Sequence, residues 1–249
     1  MKTLVTASNS MPFKAMILAA GRGERMRPLT DTKPKPLLQA GGKSLIEYQL
    51  NRLAKAGFTE IVINHAYLGE MIEAALGNGG RYGVNIQYSH EPLVLETAGG
   101  IANAMPLLTN EAQDQPFLVV NADVYSEMDY ATLLPVLSQM QSSPEESLVH
   151  LVLVDNPEHH PEGDFSLNGT KVQLEGNNKL TFSGVGAYQP GLFNGLLSHK
   201  PAKLAPLLHS AINDQKISGE HFHGVWIDVG TPARLDFLDD MLTSKKESD

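Results

Sequence analysis

Glycines and basic side chains are concentrated after the first apolar run of the chain. The segment LAAGRGERMRPL, Leu18–Leu29, holds Gly21, Gly23 and three arginines, and KPKPLL, 33–38, adds two lysines next to prolines. Glycines let backbone N–H groups approach phosphate oxygens without a side chain in the way, and Arg and Lys supply positive charge. The spacing therefore predicts a loop that binds the phosphates of a small molecule.

The charge distribution also favours a small anionic ligand. The chain carries 28 acidic and 19 basic side chains, for a net charge of −9. From Arg22 to Lys43 there are six basic and two acidic residues, whereas eleven basic and twenty-six acidic residues follow from Ser44 onward. A cationic patch on an anionic body suits a small polyanion and argues against nucleic-acid binding, which needs a basic face. The alternative is that these basic residues form only a solvated loop.

The composition excludes other kinds of protein. The chain has no Cys, which excludes disulfides, thiolate metal sites and Cys nucleophiles and favours a cytoplasmic location. No apolar stretch is long enough to span a bilayer, so no membrane partner is expected. Residues 1–13 lack the pattern of a secretory signal, and we predict a disordered leader, with Met11 as an alternative start. No sequence feature indicates an oligomeric state.

Strands and helices alternate through the first half of the chain. Apolar periodicity and Gly stops predict strands and helices in turn at 14–20, 44–56, 60–64, 68–76, 85–89, 98–108 and 117–120. This alternation predicts an α/β fold with a mixed, mostly parallel sheet and helices on both faces. Ligands bind at the carboxyl ends of such strands, where the Gly21 loop, the loop after Glu91 and the Asp123 turn all fall.

The second half of the chain has a different pattern. Another strand is predicted at 147–154, and short β runs broken by Asn-Gly and Gly-Asn-Asn indicate hairpins between 164 and 188. A last strand at 225–229 precedes a helix that begins at Pro232. The sequence therefore predicts a small β-rich insertion beside the α/β unit.

Two common nucleotide-binding motifs do not fit the chain. A dinucleotide fingerprint would need Gly where Met26 stands and an acidic residue near Asn64 and His65. A Walker loop that ends at 42–44 would need Gly where Leu37 stands. The phosphate loop must therefore belong to another class.

The remaining pattern resembles the sugar-1-phosphate nucleotidylyltransferases. LAAGRGERMRPLT followed by KPKPLL carries the resemblance, which extends along nearly the whole chain through EPLVLETAGGI, FLVVNADVY, FSGVGAY and WIDVGTPARL. The resemblance implies a Rossmann-like nucleotide-diphospho-sugar transferase fold in one domain, 14–249, with a nucleotide-binding half, 14–125, and a sugar-binding half, 126–249. Within the family, the motifs look most like those of uridylyltransferases that use N-acetylmuramic acid 1-phosphate in cell-wall recycling.

The implied reaction converts a sugar-1-phosphate and a nucleoside triphosphate, here UTP, into a nucleotide sugar and pyrophosphate. The acceptor phosphate is already anionic at pH 7, so no general base is needed, and catalysis should consist of positioning and charge neutralisation. The resemblance gives Arg25 the triphosphate and Lys35 a bridge between the two reacting phosphates. The implied nucleotide-binding residues are Ala20, Gly21, Gly23, Glu24, Arg25, Lys35, Glu91, Glu96, Ala98 and Gly99.

The resemblance also implies a Mg²⁺ cofactor held by Asp123 and Asp228, although either Asp alone could be a simple turn former. Glu96 replaces a family Gly, and its carboxylate could accept the N3–H of uracil, with Glu91 or the 98–100 backbone reading a carbonyl. The alternative for Glu96 is a solvated loop carboxylate.

The sugar contacts are matched to the family less closely. Asn121, Gly163, Glu175 and Gly184 are the implied residues, but the usual Glu-Lys-Pro is absent around Glu175. The adjacent His159 and His160 lack metal-ligand spacing and are interpreted as a surface loop. His221 and His223 are interpreted as structural residues on one face of a strand, and Trp226 as core.

Other functions remain compatible with these residues. The substrates could be a hexose-1-phosphate with UTP or dTTP, or phosphocholine with CTP, for which Tyr67, Tyr82, Tyr88 and Tyr188 could form a cation cage. A non-catalytic nucleotide-sugar sensor would be expected to lack Arg25, Lys35 or a metal Asp, and none is missing.

Overall fold

The computed structural model describes residues 13–109 and 115–248, so residues 1–12 of the predicted leader lie outside the described residues. Phe13 is buried in the core, so the packed chain includes one residue that the sequence had placed in the leader. The strands are β1 Ala15–Leu18, β2 Gln39–Ala40, β3 Lys43–Ser44, β4 Glu60–His65, β5 Asn85–His90, β6 Phe117–Asn121, β7 Val124–Ser126, β8 Val149–Val154, β9 Ser166–Asn168, β10 Lys171–Gln173, β11 Thr181–Tyr188, β12 Ile217–His221 and β13 Trp226–Asp228. The helices are α1 Leu45–Lys55, α2 Gly69–Leu76, α3 Glu96–Leu108, α4 Leu134–Ser142, α5 Ala205–Asn213 and α6 Pro232–Ser248.

A nine-stranded sheet forms the centre of the described chain, in the order β5-β4-β1-β6-β11-β8-β12-β10-β9. Only β10 and β11 run opposite to the other strands of this sheet. The prediction of a mixed, mostly parallel sheet is therefore confirmed. Strands β9 and β10 form a short hairpin at one edge, which is the predicted β-rich insertion.

Helices cover both faces of the sheet, because the strands carry apolar side chains on both faces. Successive side chains of a strand point to opposite faces. Ala15 and Ile17 of β1 accordingly join the apolar cluster under α1, α2 and α4, whereas Met16 joins the cluster under α3 and α5. All three side chains are fully buried. None of the described helices is both long and apolar enough to cross a lipid bilayer.

The Gly42-Lys43-Ser44 segment directly precedes helix α1. The backbone N–H and the hydroxyl of Ser44 both donate to Glu47 Oε2, at 2.8 and 2.7 Å, and this pairing caps α1. The N–H of Gly41 donates to Asp239 on α6 at 2.6 Å. These polar groups are committed to capping and helix packing, which agrees with the rejection of a Walker loop here.

The carboxyl ends of the central parallel strands meet at one edge. Leu18, the last residue of β1, lies in register with Asn64 of β4 on one side and with Asn121 of β6 on the other. The loops that leave these strands therefore converge, as expected for the ligand edge of an open α/β sheet.

Candidate active site

Three adjoining cavities lie at this carboxyl edge. The Asn64 cavity, about 290 Å³, is lined by Asn64 and by the predicted residues Ala20, Gly21, Lys35, Glu91 and Glu96. The Arg22 cavity, about 540 Å³, is lined by Arg22 and by Gly21, Gly23, Glu24, Arg25 and Lys35. The Trp226 cavity, about 440 Å³, is lined by Trp226, Arg25, Asn121, Asp123, Gly184 and Asp228. Volumes of this size are typical of small-molecule sites.

The glycine-arginine loop is held in place by a buried methionine and by Lys35. Met26, in the short 3-10 helix Glu24–Met26, is fully buried. Gly23 has a φ of +64°, and a Cβ there would lie 3.0 Å from Lys35 Cβ. Its carbonyl accepts a hydrogen bond from the Thr30 hydroxyl at 2.8 Å. The position therefore requires Gly, both for its left-handed backbone and for the close approach of Lys35.

Lys35 is the central cation of the site. It follows Pro34 in a short 3-10 helix, is only 8% exposed, and lines both the Asn64 and the Arg22 cavities. Its Nζ donates to Asp123 Oδ2, and the Asp123 carboxylate also lines the Trp226 cavity. Lys35 is thus held by a carboxylate at the point where the three cavities adjoin.

Asn64 organises one wall of the site, a role that sequence reasoning missed. Its side chain accepts a hydrogen bond from the N–H of Ala19 at 2.9 Å and donates to Glu91 Oε1 at 2.6 Å. The other Glu91 oxygen accepts the N–H of Leu95 at 3.0 Å. Burial raises the pKa of the Glu91 carboxyl, although these two hydrogen bonds oppose that shift. A polar residue near the end of an otherwise apolar strand was the signal that could have indicated Asn64.

The structure separates the predicted base-contacting residues into two groups. Glu96 is the first residue of α3, is exposed, and lines the Asn64 cavity with a backbone φ of +59°. Glu91 lines the same cavity, but both of its carboxylate oxygens already accept hydrogen bonds. Ala98 and Gly99 are buried away from the cavity wall, and the Gly99 N–H donates to the Ala202 carbonyl at 3.0 Å. This follows because α3 begins at Glu96, two residues earlier than predicted.

Asp123 and Asp228 are brought together by a two-stranded ribbon. Strand β13 pairs with β7 so that Asp228 lies opposite Val124, and the Val229 N–H donates to the Asp123 carbonyl at 2.9 Å. Each carboxylate faces a cation, since Asp123 accepts from Lys35 and Asp228 accepts from Arg234 at 2.9 Å. Carboxylate oxygens are the donors that a hard divalent cation prefers, and both residues line the Trp226 cavity, so they fit such an ion.

Two of the predicted sugar contacts come together and two do not. Gly184, with a φ of +78°, lies against Asn121, and a Cβ there would be 2.5 Å from Asn121 Nδ2. Gly163 instead lines a separate cavity with Asn156, because its turn brings it against the backbone of Lys179. The Glu175 side chain is 94% exposed. The structure therefore groups Asn121 with Gly184 and leaves Gly163 and Glu175 outside the Trp226 cavity.

Three residues that sequence analysis assigned to surface or core lie in the Trp226 cavity. His159 and His160 both line it, and His159 Nε2 is 3.4 Å from Asp228 Oδ2. Trp226 is half-buried and donates its indole N–H to the Ser183 carbonyl at 2.9 Å. The adjacent histidines gave no sequence signal for this position, because the contact of His159 with Arg234 joins residues 75 positions apart in the chain.

Comparison with known proteins identifies the class of this fold and site. The sequence profile of the nucleotidyl transferases matches residues 14–163. The chain belongs to the nucleotidyl transferase family and is an enzyme that transfers nucleotidyl groups. Enzymes of this family use a divalent cation.

Individual relatives agree with this class. The chain is 56% identical over 227 residues to the N-acetylmuramate alpha-1-phosphate uridylyltransferase of Neisseria meningitidis, covering 90% of this chain and 95% of that protein. It is 31% identical to a mannose-1-phosphate guanylyltransferase catalytic subunit of Dictyostelium discoideum and spans 64% of that protein's length. A crystal structure assigned to a glucose-1-phosphate thymidylyltransferase of Bacillus anthracis, in complex with sucrose, shares the fold with a TM-score of 0.78 at 18% identity, covering 93% of this chain and 95% of that one.

Proposed function

We propose that the enzyme transfers a uridylyl group from UTP to N-acetylmuramic acid 1-phosphate, forming UDP-N-acetylmuramic acid and pyrophosphate, in the recycling of cell-wall sugars. The observation that carries this proposal is the placement of Lys35. It is buried, lines the Asn64 and Arg22 cavities, where the nucleotide would bind, and contacts Asp123, which lines the Trp226 cavity, where the acceptor would bind. The identity of 56% over nearly the full length of the Neisseria relative supports the choice of substrates.

The reaction requires two anions to meet. An oxygen of the acceptor phosphate attacks the α-phosphorus of UTP, a new P–O bond forms, and the bond to the β-phosphate breaks as pyrophosphate leaves. A phosphomonoester has its second pKa at about 6, so the nucleophile needs no base. Arg25 lines both the Arg22 and the Trp226 cavities and would bind the triphosphate and the leaving pyrophosphate. Lys35 would hold the α-phosphate and the acceptor phosphate in line.

Asp123 and Asp228 would hold Mg²⁺, with phosphate oxygens and water as the remaining ligands. An ion held there would supply positive charge to offset the negative charge of the leaving pyrophosphate. Lys35 and Arg234 would then share these carboxylates with the ion, and Asn121 would reach a sugar hydroxyl from the end of β6.

Uracil recognition is assigned to Glu96. Glu96 lines the Asn64 cavity, and its carboxylate could accept the uracil N3–H, a group that cytosine lacks. Glu91 is better explained as a brace for the loop, because both of its oxygens are occupied. The phosphocholine alternative finds less support, since Tyr188 is buried in the core and none of Tyr67, Tyr82, Tyr88 and Tyr188 lines the three cavities.

A pyrophosphate-release screen tests the proposed substrates. N-acetylmuramic acid 1-phosphate, N-acetylglucosamine 1-phosphate, glucose 1-phosphate and phosphocholine would each be combined with UTP, dTTP, CTP, GTP and ATP. We expect the highest kcat/KM for UTP with N-acetylmuramic acid 1-phosphate. A preference for a purine nucleotide would contradict the role of Glu96, and a preference for phosphocholine would contradict the choice of acceptor.

Side chains around the Trp226 cavity suggest how the enzyme would distinguish N-acetylmuramic acid 1-phosphate from N-acetylglucosamine 1-phosphate. N-acetylmuramic acid carries a lactyl carboxylate that N-acetylglucosamine lacks. His159 lines this cavity, and its Nε2 lies 2.5 Å from Arg234 Nη1, so an imidazole and a guanidinium that both face Asp228 would lie near that carboxylate. His160 is also present but is paired with Asp164 at 3.1 Å.

Replacing His159 with alanine is expected to raise the KM for N-acetylmuramic acid 1-phosphate about tenfold, the effect of one lost charge-assisted hydrogen bond. The inhibition constant of N-acetylglucosamine 1-phosphate as a competitor should change less than twofold. The exposed His209→Ala variant on α5 serves as the control. Equal weakening of both sugar phosphates would show that His159 does not recognise the carboxylate.

A further inference from the structure

Three side chains of the types that bind metal ions meet at the carboxyl edge of the central sheet, apart from the three cavities described above. Strands β8 and β12 run parallel, and His221, the last residue of β12, lies in register with Leu153. Asp155 directly follows β8, and His223 lies two residues beyond the end of β12, with its ring beside that of His221. Among residues 13–109 and 115–248, Asp155, His221 and His223 are the group of three such residues with ligand atoms within 4.8 Å of one another.

The contacts inside this group do not satisfy its polar atoms. His221 Nε2 lies 3.0 Å from Asp155 Oδ1. This contact lacks the geometry of a hydrogen bond, and the same nitrogen is buried without a hydrogen-bond partner. The centroids of the two imidazole rings are 3.8 Å apart. A buried ring nitrogen close to a carboxylate and a second imidazole, yet bonded to neither, is explained if all three atoms face a common point.

We propose that Asp155, His221 and His223 form a second divalent-metal site, for an ion that accepts imidazole ligands such as Zn²⁺ or Co²⁺. Four ligands at about 2.0 Å from Zn²⁺ in a tetrahedron are about 3.3 Å apart, close to the observed separation between His221 and Asp155. Asp155 and His223 are exposed, which gives their side chains room to close on the ion and leaves a position for water.

The ligand types separate this site from the proposed catalytic one. Two nitrogens and one carboxylate favour Zn²⁺ or Co²⁺ over Mg²⁺, whereas the carboxylates of Asp123 and Asp228 favour Mg²⁺. Asp155 also begins the loop that carries His159 and His160 into the Trp226 cavity. An ion at this site would tie the start of that loop to the end of β12 and so restrain one wall of the cavity.

Calorimetric titration of the full chain tests the proposal. The chain, free of a histidine tag and treated with a chelator, is titrated with Zn²⁺ in excess Mg²⁺, so that oxygen-ligand sites are filled. We expect one equivalent of Zn²⁺ to bind, and affinity to fall at least about 100-fold in Asp155→Asn and in His223→Ala, since loss of a direct ligand should exceed the effect of an outer-shell change. Co²⁺ should give the visible absorption bands of a four- or five-coordinate ion, and these bands should disappear in both variants.

The control is His209→Ala, which removes an exposed His from α5 and should bind Zn²⁺ like the parent chain. Both test positions are exposed, so their variants are expected to fold, which circular dichroism would verify. The absence of stoichiometric Zn²⁺ binding, or equal binding by the parent, Asp155→Asn and His223→Ala, would overturn the proposal. Neither outcome depends on the substrate screen, because the readout is metal binding and not turnover.

Discussion

Replacing Lys35 with alanine is expected to lower kcat by about 10²- to 10³-fold, the effect of removing one preorganised donor to a developing anion. Lys35 is 8% exposed and lines both the Asn64 and the Arg22 cavities, so its ammonium group would face the reacting phosphates with little screening by solvent. Single-turnover kinetics would locate the loss in the chemical step. The KM for UTP should change much less, because Arg25 and the loop backbone would still bind the triphosphate.

Lys43→Ala is the matched control for this prediction. Lys43 is exposed in β3 and belongs to the same basic segment of the sequence, but it lines none of the three cavities. Its loss should leave kcat within about twofold of the parent, as expected for a surface charge. Near-normal turnover by Lys35→Ala, or an equal loss in Lys43→Ala, would contradict the central role of Lys35 and favour a solvated basic loop.

The second large effect is expected from Asp123→Asn. The substitution keeps the size of the side chain and one oxygen that can accept from Lys35, so the fold should persist. It removes a negative charge from the proposed ion site, and kcat should fall by about 10²-fold or more even at saturating Mg²⁺, because metal ions contribute several kcal/mol to such transition states. Activity measured against Mg²⁺ concentration should also show a weaker apparent affinity for the ion.

Asp236→Asn supplies the control, because Asp236 is an exposed Asp on α6. The midpoint temperature of thermal unfolding should differ by only a few degrees among the parent, Asp123→Asn and Asp236→Asn. If Asp123→Asn retained both its activity and the parent's Mg²⁺ dependence, the ion would have to be held elsewhere, and Asp123 would be only the partner that orients Lys35.

Much of the fold followed from local patterns. Apolar periodicity located β1, β4, β5 and β6 to within one or two residues. The central strands β1, β4 and β6 are buried on both faces and read as apolar runs, whereas the edge strand β5 alternates buried and exposed residues. Short elements were harder to predict. The helices α4 and α5 were missed, since their stretches carry Pro and scattered polar residues, and their burial depends on the sheet against which they pack.

The candidate site was predictable where one loop carries the chemistry. The spacing of Gly21, Gly23, Arg25 and Lys35 places a cationic, glycine-rich loop after a buried strand, and the structure brings these residues to adjoining cavities. The pairing of Asp123 with Asp228 rested on the family resemblance, because the two residues are far apart in the chain and meet only through the β7–β13 ribbon.

The sequence by itself determined the class of protein, and it predicted a phosphate loop at the edge of the sheet where parallel strands expose their carboxyl ends together. Only the tertiary structure decided which polar groups are available there. Glu91 accepts a hydrogen bond from Asn64, the backbone N–H of Gly99 donates to Ala202, and His159 lines the Trp226 cavity. Each of these outcomes depends on a contact between residues distant in sequence, and such contacts are set by packing and not by local pattern.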